Sequence, residues 1–127
     1  INDALRNGWN PFVSEVNKAA DTVYKADKVL QEIMNSKVAA LRPRTQQTYK
    51  SRLQIFLNWM KEMKLQQLHI HEIQPLHIDY YQKFLIGKGY NSVTVNSNIE
   101  IIASLFKKLL KLRIIRENPC DGIDMLR

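Results

Sequence analysis

What this chain lacks narrows its role first. A single cysteine, Cys120, among 127 residues excludes an internal disulfide framework and any multi-cysteine zinc site. The four glycines, Gly8, Gly87, Gly89 and Gly122, form neither a phosphate-cradling loop nor a GxSxG elbow. Acidic side chains are scarce, 12 against 19 Lys and Arg, for a formal net charge of +7. No apolar run approaches the roughly 18 residues of a membrane span. Sustained period-two alternation between hairpin turns is absent, so a sheet is disfavoured. The chain opens on Ile1 without a charged-then-apolar leader, and the reading is of a piece of a longer, cytoplasmic protein.

What is present is unevenly placed charge. Residues 1–40 hold five basic and five acidic side chains, which cancel. Residues 41–64 carry six basic against one acidic, and residues 83–116 seven against one. The stretches 65–82 and 117–127 are each net −2. Lys and Arg often do no more than solvate outer helix faces, but such faces usually mix signs. Two blocks with almost no Glu or Asp suit a polyanion if they meet in space.

Glycine and proline fall between apolar-periodic runs and never inside one, the pattern of helices and connectors. Tyr49, Leu53, Phe56 and Met60 recur at spacings of three and four, with Arg52, Ile55 and Trp59 on a flanking line. This predicts a helix over about 43–64, with Pro43 in its first turn, where a missing N–H costs nothing. Val95, Ile99, Ile102, Phe106 and Leu109 line one side of the last long run. Ser97, Glu100, Ser104, Lys107 and Lys111 line the other, Asn91 caps the run, and Pro119 stops any continuation of it. A shorter helix opens at Pro75, turns Ile78, Tyr81, Phe84 and Leu85 inward and ends at Gly87 to Gly89. A first helix over about 24–40 uses Leu30, Ile33, Met34 and Val38. The predicted fold is all-α, a compact bundle of about four helices without a sheet. Residues 1–20, with Trp9 and Phe12, read as a linker, 21–116 as the helical domain, and 117–127 as the start of a second linker.

Candidate chemistry is thin. His69, His71 and Glu72 lie close enough to clip a metal, but His77 is the only further histidine and no HExxH spacing occurs. The bland reading, a connector with Leu68, Ile70 and Ile73 turned inward, is preferred, and no metal or cofactor is predicted. Cys120 has no positioned base nearby in sequence. The fragment is therefore not expected to be an enzyme.

The nucleic-acid signal is stronger. Both basic blocks open alike: Arg42, Pro43, Arg44, Thr45, then Gln46, Gln47, Thr48, Lys50 and Ser51; and Asn91, Ser92, Val93, Thr94, then Asn96, Ser97 and Asn98. A helix N-terminus offers free N–H groups and partial positive charge to a phosphate. Polar side chains on the first turns can bond phosphate oxygens or base edges. Simple capping by Thr45 and Thr94 is the structural alternative. A helix-turn-helix fits less well, because the connector after Lys64 is too long and the helix before Gly87 is nearly neutral.

One further observation comes from resemblance. The order Leu41, Arg42, Pro43, Arg44, Thr45, Tyr49, Leu53, Phe56, Trp59, then Ile73, Pro75, Ile78, Tyr81, Leu85, then Gly89, Tyr90, Asn91, Ser92, Val93, Thr94, Asn96, Ile99, Ile102, Phe106, then Ile115, Asn118 and Pro119 resembles the SAM-like core-binding domain of tyrosine recombinases of the phage-integrase type. The opening, with Leu5, Gly8, Trp9, Pro11 and Phe12, is similar to the segment after an arm-type domain in mobile-element integrases of Bacteroides-like bacteria. The resemblance implies a middle domain that closes over one face of a crossover-site duplex, a separate catalytic domain gripping the other. Carried over by position, the second helix presents Arg44, Thr45, Gln47, Thr48 and Ser51, and the fourth Val93, Thr94, Ser97 and Asn98; Lys50, Lys107, Lys108 and Lys111 either add phosphate contacts or simply solvate. Ser97 stands where many relatives carry a basic residue. The implied partners are double-stranded DNA and other recombinase subunits, as a tetramer on DNA. The alternative is a helical protein-interaction module, docking through Leu30, Ile33 and Met34 of the first helix without touching DNA.

Overall fold

A computed structural model describes residues 25–127. The expected linker 1–20, with Trp9 and Phe12, and the start of the first helix at 24 lie outside the described residues. Four helices occur there: α1 (Ala26–Val38), α2 (Pro43–Glu62), α3 (Pro75–Gly87) and α4 (Ser92–Lys111). A single 3-10 turn, Ile70–Glu72, interrupts the connector between α2 and α3. The architecture is all-α, as the spacing predicts, and no strand occurs among the described residues; one isolated antiparallel bridge joins Lys25 and His69.

Apolar periodicity decides which helix sits in the middle. α4 buries Val95, Ile99, Ile102, Leu105, Phe106 and Leu109 completely and packs against α1, α2 and α3. With apolar residues at every third or fourth position, one broad stripe faces three neighbours at once. α2 and α3 meet through aromatic rings. Tyr81 stands edge-on to Phe56 at 4.8 Å, and Trp59 lies 5.2 Å from Tyr81 and 6.4 Å from Phe84. Trp59, expected on a flanking line, is buried, because the rings of α3 extend the apolar face of α2 by one column.

The helix ends are closed by recognisable local chemistry. Pro43 and Pro75 occupy first-turn positions. After α2 the Lys64 N–H donates to the Lys61 carbonyl and the Leu65 N–H to that of Met60, at 3.1 and 2.7 Å. After α4, Arg113 donates to Leu110 and Ile114 to Leu109, both at 3.0 Å. After α3, Gly89 donates to Ile86 and Tyr90 to Leu85. These are three Schellman closures, each needing a left-handed residue. Gly89 adopts that conformation at little cost, whereas Lys64 and Arg113 each hold φ at 61°. Their positive charges sit favourably against the helix C-termini, offsetting part of the strain.

Residues 117–127, expected to begin a linker, lie against the bundle. The Asn118 amide donates to the Ala103 carbonyl at 3.1 Å and its oxygen accepts the Cys120 N–H at 2.9 Å. Further on, the Asn96 amide nitrogen donates to the Leu126 carbonyl while its oxygen accepts the Leu126 N–H, both at 2.8 Å. Gln82 of α3 donates to the Asp124 carbonyl at 2.8 Å. The tail thus runs antiparallel to α4, from its middle back toward its first turn. Composition hides this packing because the ties are side chain to backbone and leave no periodic pattern.

Candidate nucleic-acid interface

The two helix openings differ once their side chains are placed. On α2, Arg44, Gln47, Thr48, Ser51 and Arg52 recur at steps of three and four, so they share one face. They line a shallow hollow of about 230 Å3. A second hollow, lined by Pro43, Gln46, Gln47, Lys50 and Ser51, shares Gln47 and Ser51 with it, so the two form one strip. Arg44, Gln47, Thr48, Lys50 and Ser51 are exposed and Thr45 half-buried. The Thr48 hydroxyl donates to the Arg44 carbonyl at 3.2 Å, and Gln46 donates to that of Leu41 at 2.7 Å. The N-cap residue is Arg42 and accepts no side-chain hydrogen bond, so Thr45 does not cap this helix. Among the described residues the ion pair is Asp79 with Lys83 on α3, at 3.0 Å. No carboxylate neutralises Arg44, Lys50 or Arg52 there, so the strip is positive and open to solvent.

On α4, Asn91 caps as predicted, its side-chain oxygen accepting the Thr94 N–H at 2.9 Å. Val93 is 77% exposed, and Thr94 and Ser97 are half-buried. Asn98 is a correction. Expected to reach DNA, it is instead fully buried, and its amide donates to the Thr94 carbonyl at 2.8 Å. Its place at i+3 from the inward-facing Val95 turns it onto the core side, the reverse of its neighbour Ser97. Asn96, half-buried beside it, is occupied by the tail. Neither hollow on α2 is lined by an α4 residue.

Arg52 is a site residue that sequence spacing does not single out. Periodicity puts it on a line flanking the core, yet it lines the first hollow. Its Nε is buried without a hydrogen-bond partner, as is the Tyr81 hydroxyl. Burial pushes the Tyr81 hydroxyl well above its ordinary range, Tyr90 adding to the rise and the Arg52 charge opposing it. Arg52 therefore spans from the aromatic core to the surface hollow. A basic residue at i+8 from Arg44, i+4 from Thr48, is the only signal of this in the sequence.

Other candidates are absorbed by structure. The Glu72 carboxylate accepts the His69 N–H at 2.8 Å, and His77 Nδ1 accepts the Gln74 N–H at 2.9 Å, so both act in local turns. No grouping of three or more metal-capable side chains occurs among the described residues. The Cys120 thiol is buried, which pushes it up to about 12, with Asp121 adding to the rise. A thiol so shifted stays protonated and is a poor nucleophile near neutral pH. A hollow of about 540 Å3 lies between the connector and the segment after α4, with Arg116 and Glu117 both lining it. Leu30 and Met34, expected to dock a neighbouring subunit, are buried in the chain's own core, and Ile33 is half-buried. No helix among the described residues is long and apolar enough to cross a membrane.

The architecture is an all-helical bundle built on a central α4, with a basic strip on α2. The family model described as phage integrase, N-terminal SAM-like domain, matches residues 27–116, and the chain belongs to that family. The domain is the non-catalytic N-terminal part of phage integrases, which are tyrosine recombinases, and serves there as the core-binding domain. No curated protein and no solved structure matches the chain.

Proposed function

We propose that this chain is the core-site DNA-binding module of a site-specific tyrosine recombinase, closing on duplex DNA through the leading ends of α2 and α4. It supplies no chemistry of its own; cutting and rejoining belong to a separate catalytic domain. Residues 1–20 lead from a preceding arm-type domain, and the chain after 117 leads toward the catalytic one. Arg44 and Lys50 hold phosphates, and Thr45, Gln47, Thr48 and Ser51 bond phosphate oxygens or base edges. Val93, Thr94 and Ser97 reach the same duplex from α4, with Val93 offering apolar contact to a thymine methyl. Other subunits join as a tetramer on the DNA.

The observation that carries this reading is the strip on α2: exposed cations and hydrogen-bond donors on one helix face with no carboxylate among them. A solvated helix face would mix signs. The test is a gel-shift titration on duplex DNA across a range of salt. With about 4–6 phosphates neutralised, log K falls against log[salt] with a slope near −0.9 per phosphate. A flat response, or no shift at low ionic strength, contradicts the reading.

A further inference from the structure

The hollow on α2 differs from a row of surface cations in including an arginine partly enclosed by the core. Arg44, Gln47, Thr48, Ser51 and Arg52 line it, Arg44 and Thr48 lying one turn apart. Arg44 is free to swing, since it is exposed and has no ion pair among the described residues. Arg52 is not. It is half-buried, its charge is felt at the buried Tyr81 hydroxyl, and its Nε is shut away from water without an acceptor. The buried Nε is closed to any outside acceptor and holds the group in place, whereas the two Nη groups are neither buried nor hydrogen-bonded among the described residues and are the donors an anion in the hollow meets. A guanidinium presents its donors in a planar fork that matches two oxygens of one phosphate. The hollow adds the hydroxyl of Ser51 and the amide of Gln47, both able to donate to the same anion, while Thr48, whose hydroxyl donates to the Arg44 carbonyl, borders it.

We propose that Arg52, with Arg44, Gln47, Thr48 and Ser51, forms a preformed seat for one phosphodiester group of duplex DNA, Arg52 being the fixed ligand and Arg44 the movable one. This rests on the DNA-binding reading above and adds a residue that reading does not use. An already-ordered arginine loses little side-chain freedom on binding, so this phosphate sets the register of the duplex on α2.

The test pairs one protein change with one DNA change. Arg52→Gln keeps a polar donor of similar reach, Arg52→Lys keeps the charge without the fork, and Ser51→Ala alters the hollow's wall without touching the arginine. Methylphosphonate is substituted at each phosphate of the duplex in turn. Thermal unfolding by circular dichroism identifies which variants stay folded. In the unaltered chain one position should weaken binding severalfold more than its neighbours. In Arg52→Gln that position should lose its distinction, and the salt slope should become shallower by about 0.9. Arg52→Lys should keep the slope yet lose most of the distinction, and Ser51→Ala should lessen it while the fold is untouched. If Arg52→Gln does not fold, Arg52→Lys and Ser51→Ala decide the matter alone. A methylphosphonate profile identical in the unaltered chain and in the folded variants overturns the seat while leaving the DNA-binding reading intact. Failure of the unaltered chain to bind any duplex overturns both.

Discussion

The openings of α2 and α4 look alike in sequence and behave differently in three dimensions. α2 begins without a side-chain cap, leaves its cations unpaired and keeps a polar strip open over two turns. α4 begins with a capped turn, buries Asn98 and commits Asn96 to the tail. One opening therefore keeps its charges unpaired among the described residues, whereas much of the other already serves the fold. Similar polar composition at two helix starts does not give them equal parts in recognition; what each side chain already bonds to decides that.

The largest effect that separates the two should come from beneath α2. Phe56→Ala removes a fully buried ring in contact with Trp59 and Tyr81. Unfolding in urea should show a loss of about 3–5 kcal/mol, with binding lost in proportion to the folded fraction. Next comes Asn96→Ala, which breaks both bonds to Leu126. Stability should fall by about 1–3 kcal/mol, and amides of residues 120–127 should exchange faster with solvent, while the α2 strip keeps its salt slope. If the slope changed as much as the tail did, the two openings would not be independent.

A smaller, pH-dependent effect probes the same tail. The Cys120 thiol is pushed up to about 12 from an ordinary 9.0. The unfolded chain therefore gives up its proton first as pH rises, and the native state binds more protons through that window. Stability is complete below the unfolded value and is lost between it and the folded one, by about 1 kcal/mol at about pH 10. Cys120→Ala should flatten that part of the curve in an alkaline denaturation series.

The smallest change has opposite signs on its two readouts. Arg42 is the N-cap of α2 and caps nothing with its side chain. Arg42→Asp supplies an acceptor and a favourable charge at the helix start, worth about 1 kcal/mol of added stability. It should weaken duplex binding at the same time, by inserting an anion beside the strip. Asn91→Ala should instead cost about 1 kcal/mol and leave the α2 strip as it is. A stabilised Arg42→Asp chain that binds DNA unchanged would remove the strip from the interface.

Much of the fold is legible in the sequence. Helix positions come from apolar spacing and from Pro43, Pro75 and Gly89, because caps and periodicity are local properties of the chain. The Asn91 cap is legible for the same reason, and spacing alone picks out the fully buried Val95, Ile99, Ile102, Phe106 and Leu109. Trp59 and Arg52 escape such reasoning because each depends on what a distant helix presses against it, whereas the inward turn of Asn98 follows from its i+3 step from Val95 and is masked by its polar type. Trp59 is covered by α3, and Asn98 turns toward the core one turn after Thr94. The Schellman closures at Lys64 and Arg113 are invisible in sequence because the residues in the left-handed positions are not glycine. The docking of the tail rests on Asn96, Gln82 and Asn118 reaching backbone groups 15 to 42 residues away, a kind of contact that sequence spacing does not encode.

The central claim is that the starts of α2 and α4 approach one duplex together. Isotope-labelled chain titrated with a short core-site duplex, monitored by amide chemical shifts, tests it directly. Residues 43–52 and 92–97 should shift in step at the same protein-to-DNA ratio, while α1 and Lys107 to Lys111 stay nearly still. Shifts centred on α1, or confined to one opening with the other unmoved at saturation, would contradict it.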